Sequence, residues 1–150
     1  MNNLTELRVS IPDGEKTIVV DVDGVIAHTQ EMPGEYGQDY KSSKPLQHGI
    51  DWVNKRYDEG YYIIMLTARY DKLQLGNLAK QYESGYIELV EWLNKHGVKR
   101  HEVRMGKPRA FLYIDDRAVR ITSDSEEGWS QADKYLHNHK LRCQNDQQNT

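Results

Sequence analysis

Two aspartates one residue apart, Asp21 and Asp23, end an apolar run in "TIVVDVDGV" and are followed at once by Gly24. A second apolar run ends in Thr67-Ala68-Arg69. A third, "FLYI" at 111–114, ends in Asp115-Asp116-Arg117, with Lys107 in "GKP" just upstream. If the three runs are strands of one parallel sheet, their ends share an edge. Four carboxylates then converge, and Lys107 can reach in. Left uncompensated, such a cluster would force its carboxylates to take up protons. A hard divalent cation resolves the conflict, and Mg2+ held by one or two carboxylates, water and a substrate phosphate suits these residue types. The expected chemistry is that of a phosphoryl group brought against a metal and a lysine.

The elements that must position these residues follow from the hydrophobic pattern. "TIVVDV" (17–22) and "YYIIML" (61–66) are β-branched or apolar throughout, as strands buried on both faces should be. Between them, 45–60 places Leu46, Ile50, Val53 and Tyr57 on one helical face, with Gly60 as the stop. A second helix is expected over 79–93, where Ala79, Tyr82, Tyr86, Leu89, Val90 and Leu93 recur and Gly97 closes the run. "FLYI" is expected as the third strand, "AVRI" (118–121) as a short fourth, and 126–141 as the last helix. The β-α-β-α-β order predicts an α/β fold: a Rossmann-like three-layer sandwich with a mostly parallel central sheet and little or no cap domain. Ligands of such sheets sit outside the carboxyl ends of the strands. The long connections 28–44 and 70–77 both follow strand ends, so they are expected to wall the site.

The chain has 150 residues, consistent with one domain, drawn here as 1–142 with a polar, disordered tail over 143–150. Its net charge is −3, which argues against a surface built for polyanions. The lone cysteine, Cys143, cannot form an internal disulfide, and no Cys/His spacing suggests zinc. The opening "MNNLTELRVS" lacks the pattern of a secretory signal, and no apolar run approaches a membrane span. A cytoplasmic protein with no membrane partner is the expectation.

Taken alone, each piece has a plainer reading: acidic strand ends make solvated turns, Thr67 is a strand residue, Lys107 a surface lysine. Their order along the chain is what sets them apart. "VVDVDGVIA", "IIMLTAR", "GKPRA" and "LYIDDRA" together resemble the haloacid dehalogenase-like (HAD) superfamily of phosphotransferases, and most closely its small capless members. The resemblance spans about Ile18 to Ile121 and implies a Mg2+-dependent phosphatase. It carries Asp21 as nucleophile, Asp23 as acid/base, Thr67 and Lys107 as phosphate ligands, and Asp115 with Asp116 beside Asp21 and Asp23 at the metal.

On that reading Asp21 forms an aspartyl-phosphate, and Asp23 protonates the leaving oxygen and then activates water. The need for Asp23 argues against a dehalogenase, since a halide leaves without a proton. Gly24 would let backbone amides approach the phosphate. Arg69 and Arg117 are candidates for a second anionic or hydroxyl group of the substrate. The expected substrate is a small phosphorylated metabolite such as a sugar phosphate. The alternatives are a polynucleotide 3′-phosphatase or nucleotidase, which the acidic balance disfavours, and a non-enzymatic phospho-receiver module. A receiver would place its acidic pair before the phosphoacceptor strand, whereas here the Asp-Asp pair comes after Thr67.

Overall fold

A computed structural model of the protein describes residues 16–30, 39–122 and 126–149. The chain divides into two compact units, Met1–Phe111 and Leu112–Thr150, where the sequence drew one domain over 1–142.

The first unit is built on three parallel strands. β1 (Thr17–Asp21) pairs with β4 (Tyr62–Thr67), and β4 pairs with β5 (Glu102–Met105), in the order β1-β4-β5. A two-stranded antiparallel ribbon, β2 (Ala27–His28) with β3 (Lys44–Pro45), lies between β1 and α1 (Gln47–Asp58) in the chain. α2 (Leu78–Lys95) connects β4 to β5. α1 packs on β4 and α2 on β5. Ile50 and Val53 on α1, Leu89, Trp92 and Leu93 on α2, and Ile63, Ile64 and Met65 on β4 are all buried and belong to the core. The result is the expected α/β architecture with a parallel sheet flanked by helices.

Both helices stop as the glycines predict. Gly60 and Gly97 have φ of 94° and 65°, a region that costs side-chain-bearing residues but not glycine. The next amides, Tyr61 and Val98, then donate back to the carbonyls of Arg56 and Leu93, satisfying groups that the helix leaves open.

Two strand expectations need correction. "FLYI" is not a strand: residues 111–114 form neither strand nor helix, and all four are exposed. The third strand is β5, whose "EVRM" is too short and too charged to read as an apolar run. Its Glu102 and Arg104 lie on one side, as the period of two requires, and pair at 2.9 Å. "AVRI" carries no strand either. β1 also differs from a strand buried on both faces. Among the described residues it is an edge of the sheet, only its Val20 is buried, and Val19 is exposed.

The second unit carries α3 (Glu126–Gln148). Gly128 lets this helix approach the chain before it, since a Cβ there would lie 2.4 Å from the Arg120 carbonyl oxygen. The helix runs through residues that the sequence assigned to a polar tail. Cys, Gln, Asn and Asp fill that stretch with no proline or glycine among them, so nothing local stops the helix.

Candidate active site

Strand register assembles the site. Asp21 stands opposite Leu66, and Thr67 opposite Met105, so the last residues of β1, β4 and β5 share the carboxyl edge of the sheet. Past β5 the chain turns at Gly106 (φ 95°), and the Lys107 amide donates to the Thr67 carbonyl at 3.1 Å. That bond brings Lys107 back over β1, and its Nζ lies 3.1 Å from Asp21 Oδ2. The Val22 amide donates to Asp21 Oδ1 at 2.8 Å. Burial raises the Asp21 carboxyl above its usual range, although Lys107 and the Val22 amide pull the other way and the charge of Asp23 adds to the rise.

After β1 the chain wraps around one carbonyl: the amides of Val25, Ile26 and Ala27 all donate to Val22 O. Gly24 permits the turn with φ 86°. Its amide donates to Ala27 O at 2.8 Å, so the turn itself uses that donor.

The turn presents Asp23 to Arg69. Nε donates to Oδ2 at 3.0 Å and Nη2 to Oδ1 at 2.9 Å, a side-on bidentate pair. The Thr29 hydroxyl donates to the same Oδ1 and lies 2.8 Å from Ser43 Oγ. Arg69 Nη2 also reaches Ser43 Oγ at 3.3 Å, and its guanidinium carbon sits 4.6 Å above the Tyr40 ring. Burial raises the Tyr40 hydroxyl above its usual value, with the charge of Asp23 adding to it. Arg69 was expected to meet substrate, yet its side chain is 1% exposed and its fork is spent on Asp23. Nη1 is buried with no hydrogen-bond partner among the described residues.

Thr67 is fully buried, and its Oγ1 accepts the Arg69 amide at 3.1 Å. Tyr70 follows in the left-handed region (φ 65°), its ring 5.1 Å from that of Tyr40. The Tyr70 hydroxyl donates to Glu88 and is pushed up to about 12, by burial first and the Glu88 charge second. Residues 70–77 form turns rather than an open flap. Asp71 ties them to α2 through Gln81 Nε2 (3.2 Å) and to the segment past β5 through the Arg109 amide (3.1 Å). Tyr36 and the rest of 31–38 in the other expected wall lie outside the described residues.

The structure thus brings together Asp21, Asp23, Thr67, Arg69 and Lys107. Asp115, Asp116 and Arg117 belong to the second unit, where all three are exposed. The Arg117 amide donates to Asp115 Oδ1 at 2.7 Å, and its Nε lies 3.9 Å from Asp116 Oδ2. Among the described residues no group of three or more His, Cys, Asp or Glu gathers as a metal site. The donors at the sheet edge nevertheless suit Mg2+ in kind. They are hard carboxylate and hydroxyl oxygens, the donor type that Mg2+ takes. Sequence reading missed Thr29 and Ser43. "KSSK" reads as a solvated loop, and nothing in it signals that Ser43 is buried with its carbonyl taking the Trp92 indole N–H at 2.8 Å.

Fold and site together define an α/β protein whose parallel sheet carries an aspartate pair, a threonine and a lysine at its carboxyl edge. No family model and no curated protein matches the chain. Among solved structures, that of a structural-genomics target protein from Vibrio cholerae matches with a TM-score of 0.68 and 30% identity, over 85% of this chain and 98% of that one. The chain belongs to the same family as this Vibrio cholerae protein. Among the described residues no helix is long and apolar enough to cross a membrane.

Proposed function

We propose that the protein is a Mg2+-dependent phosphomonoester hydrolase working through an aspartyl-phosphate on Asp21, with a small phosphorylated metabolite such as a sugar phosphate as substrate. The observation that carries this reading is the Lys107–Asp21 pair at 3.1 Å on the strand edge, with Asp23 two residues on and Thr67 ending the neighbouring strand. A nucleophilic carboxylate and a phosphate dianion repel each other. Lys107, already beside the attacking group, offsets that repulsion and stabilises charge on the equatorial oxygens. Asp21 would attack phosphorus in line as the ester oxygen leaves with a proton from Asp23. Asp23 would next take a proton from the water that hydrolyses the acyl-phosphate, releasing phosphate and restoring Asp21. The hydroxyl of Thr67 is proposed to hold a phosphate oxygen, and Arg117 to meet the substrate. Mg2+ when bound would supply further positive charge to the phosphate oxygens; Asp21 and Asp23 are its proposed ligands, and the sequence pattern adds Asp115 and Asp116. The lone cysteine, Cys143, cannot form an internal disulfide, which accords with the reducing cytoplasm proposed as the protein's location.

The test is a phosphate-release screen over sugar phosphates, nucleotides and 3′-phosphorylated oligonucleotides, with Mg2+ and after exhaustive chelation. Turnover on small phosphomonoesters that chelation abolishes and Mg2+ restores is expected. Full activity after chelation would overturn the metal assignment, and preference for the oligonucleotides would replace the substrate class.

A further inference from the structure

We propose that Arg69 is a positioning residue: it fixes the orientation of the Asp23 carboxylate, and Tyr40 and Ser43 fix Arg69 in turn. The role assigned to Asp23 rests on the phosphatase reading; the clamp itself does not.

Three donors from two side chains reach the two oxygens of Asp23. Arg69 Nε takes Oδ2, Arg69 Nη2 takes Oδ1, and the Thr29 hydroxyl also takes Oδ1. A planar fork against a planar carboxylate fixes its rotation, which a lysine, as a point charge, cannot do. The guanidinium has no freedom of its own to lend: its Nη2 is shared with Ser43 Oγ, and the Tyr40 ring lies beneath it at 4.6 Å. The backbone of Arg69 is tied as well, through its amide to Thr67 Oγ1. The clamp therefore joins the strand-end threonine to the carboxylate proposed to work beside it.

Burial is asymmetric across the pair. The Arg69 side chain is 1% exposed and that of Asp23 29%, so the guanidinium is sealed while the carboxylate keeps an open face. Asp21 is open to a similar degree, at 32%. A pair serving only to hold the fold has no need of that opening, and buried ion pairs return little net stability for their desolvation. What the geometry supplies is a carboxylate held at one angle with one face free. Because Arg69 is sealed, it reaches a reactant through Asp23, and its effect on turnover must pass through that residue.

The experiment has two arms. In the first, the Nε–H resonance of Arg69 is followed by NMR in the wild-type protein and in Asp23→Asn. The clamp predicts a resonance protected from solvent exchange in the wild type and lost in the folded variant. An Arg69 Nε–H that exchanges freely in the wild type would overturn it. In the second, Arg69→Lys and Asp23→Asn are made singly and together, and phosphate release from a sugar phosphate and from nitrophenyl phosphate is compared. Misplacing a catalytic group by about 1 Å can cost on the order of 10²-fold. Arg69→Lys is thus expected to lose about 10²-fold on the sugar phosphate, whose alkoxide needs a proton, and much less on nitrophenyl phosphate. In the Asp23→Asn background the same substitution should cost nothing further. Additive losses, or equal losses on both substrates, would overturn the positioning role. A wild-type protein inactive on every phosphomonoester would overturn the phosphatase reading instead, while the protected Nε–H would still establish the clamp.

Discussion

Asp21 carries two opposed demands. The proposed mechanism needs it anionic to attack, and it is buried enough that its carboxyl is raised despite Lys107 at 3.1 Å. A raised pKa in the folded state means the fold prefers the neutral acid. The associated stability is fully present below the ordinary value of 3.8 and is lost as pH rises through the folded value. At pH 7 the ionised group is therefore a liability. Asp21→Asn should drop phosphate release to background and raise the melting temperature of the metal-free protein at pH 7. The two melting curves should converge as pH falls below 3.8. A variant melting below the wild type at pH 7 would mean that the Lys107 pair outweighs burial. Asp21, Asp23 and Thr67 were legible as candidates in the sequence because they stand at the ends of apolar runs, and Lys107 was legible only through its "GKP" setting, since β5, which delivers it, did not read as a strand. Thr29, Ser43 and the true place of Arg69 were not, since each depends on a contact between segments far apart in the chain.

At the scale of elements, α2 and the turn after β4 are fitted to each other through a glycine. Gly85 sits within α2, where alanine would gain about 1 kcal/mol in propensity. A Cβ there, however, would lie 2.5 Å from Cδ2 of the Tyr70 ring and 3.0 Å from Met105 Cε. Tyr70 already occupies a left-handed conformation and packs on Tyr40, which lies against Arg69. The ring has no flexible end that can yield. Gly85→Ala should therefore destabilise, by about 1–3 kcal/mol in urea unfolding as for other overpacked sites. It should also lower turnover by disturbing the ring beneath Arg69. A gain in stability would show that the Tyr70 ring moves freely. The helices and β1 and β4 follow from their apolar period and their closing glycines. β5 did not, because Glu102 and Arg104 dominate its four residues. "FLYI" misled for the opposite reason: an apolar β-branched or aromatic run favours a strand only where a partner edge completes it.

Over the whole molecule, 20 basic residues against 23 acidic ones leave a net charge of −3. Of the arginines and lysines at the site, Arg69 is committed to Asp23 and Lys107 to Asp21. A polynucleotide substrate needs cations arranged along several phosphates, and each phosphate neutralised on a single strand contributes about −0.7 to the slope of log K against log salt. Three such contacts over a fourfold rise in salt, from about 50 to 200 mM, amount to roughly a twentyfold loss. On the proposed reading a small phosphomonoester would offer only its own phosphate, to be gripped at Lys107 and the proposed Mg2+, in a partly buried place where salt screens weakly. The ratio kcat/KM for a sugar phosphate should thus change little between those salt concentrations. It should exceed that for a 3′-phosphorylated oligonucleotide even at the lower one. Measuring both substrates at both salts decides the matter: a steep salt dependence with preference for the oligonucleotide would mean that a basic track along the strand governs binding, in spite of the chain's acidic balance.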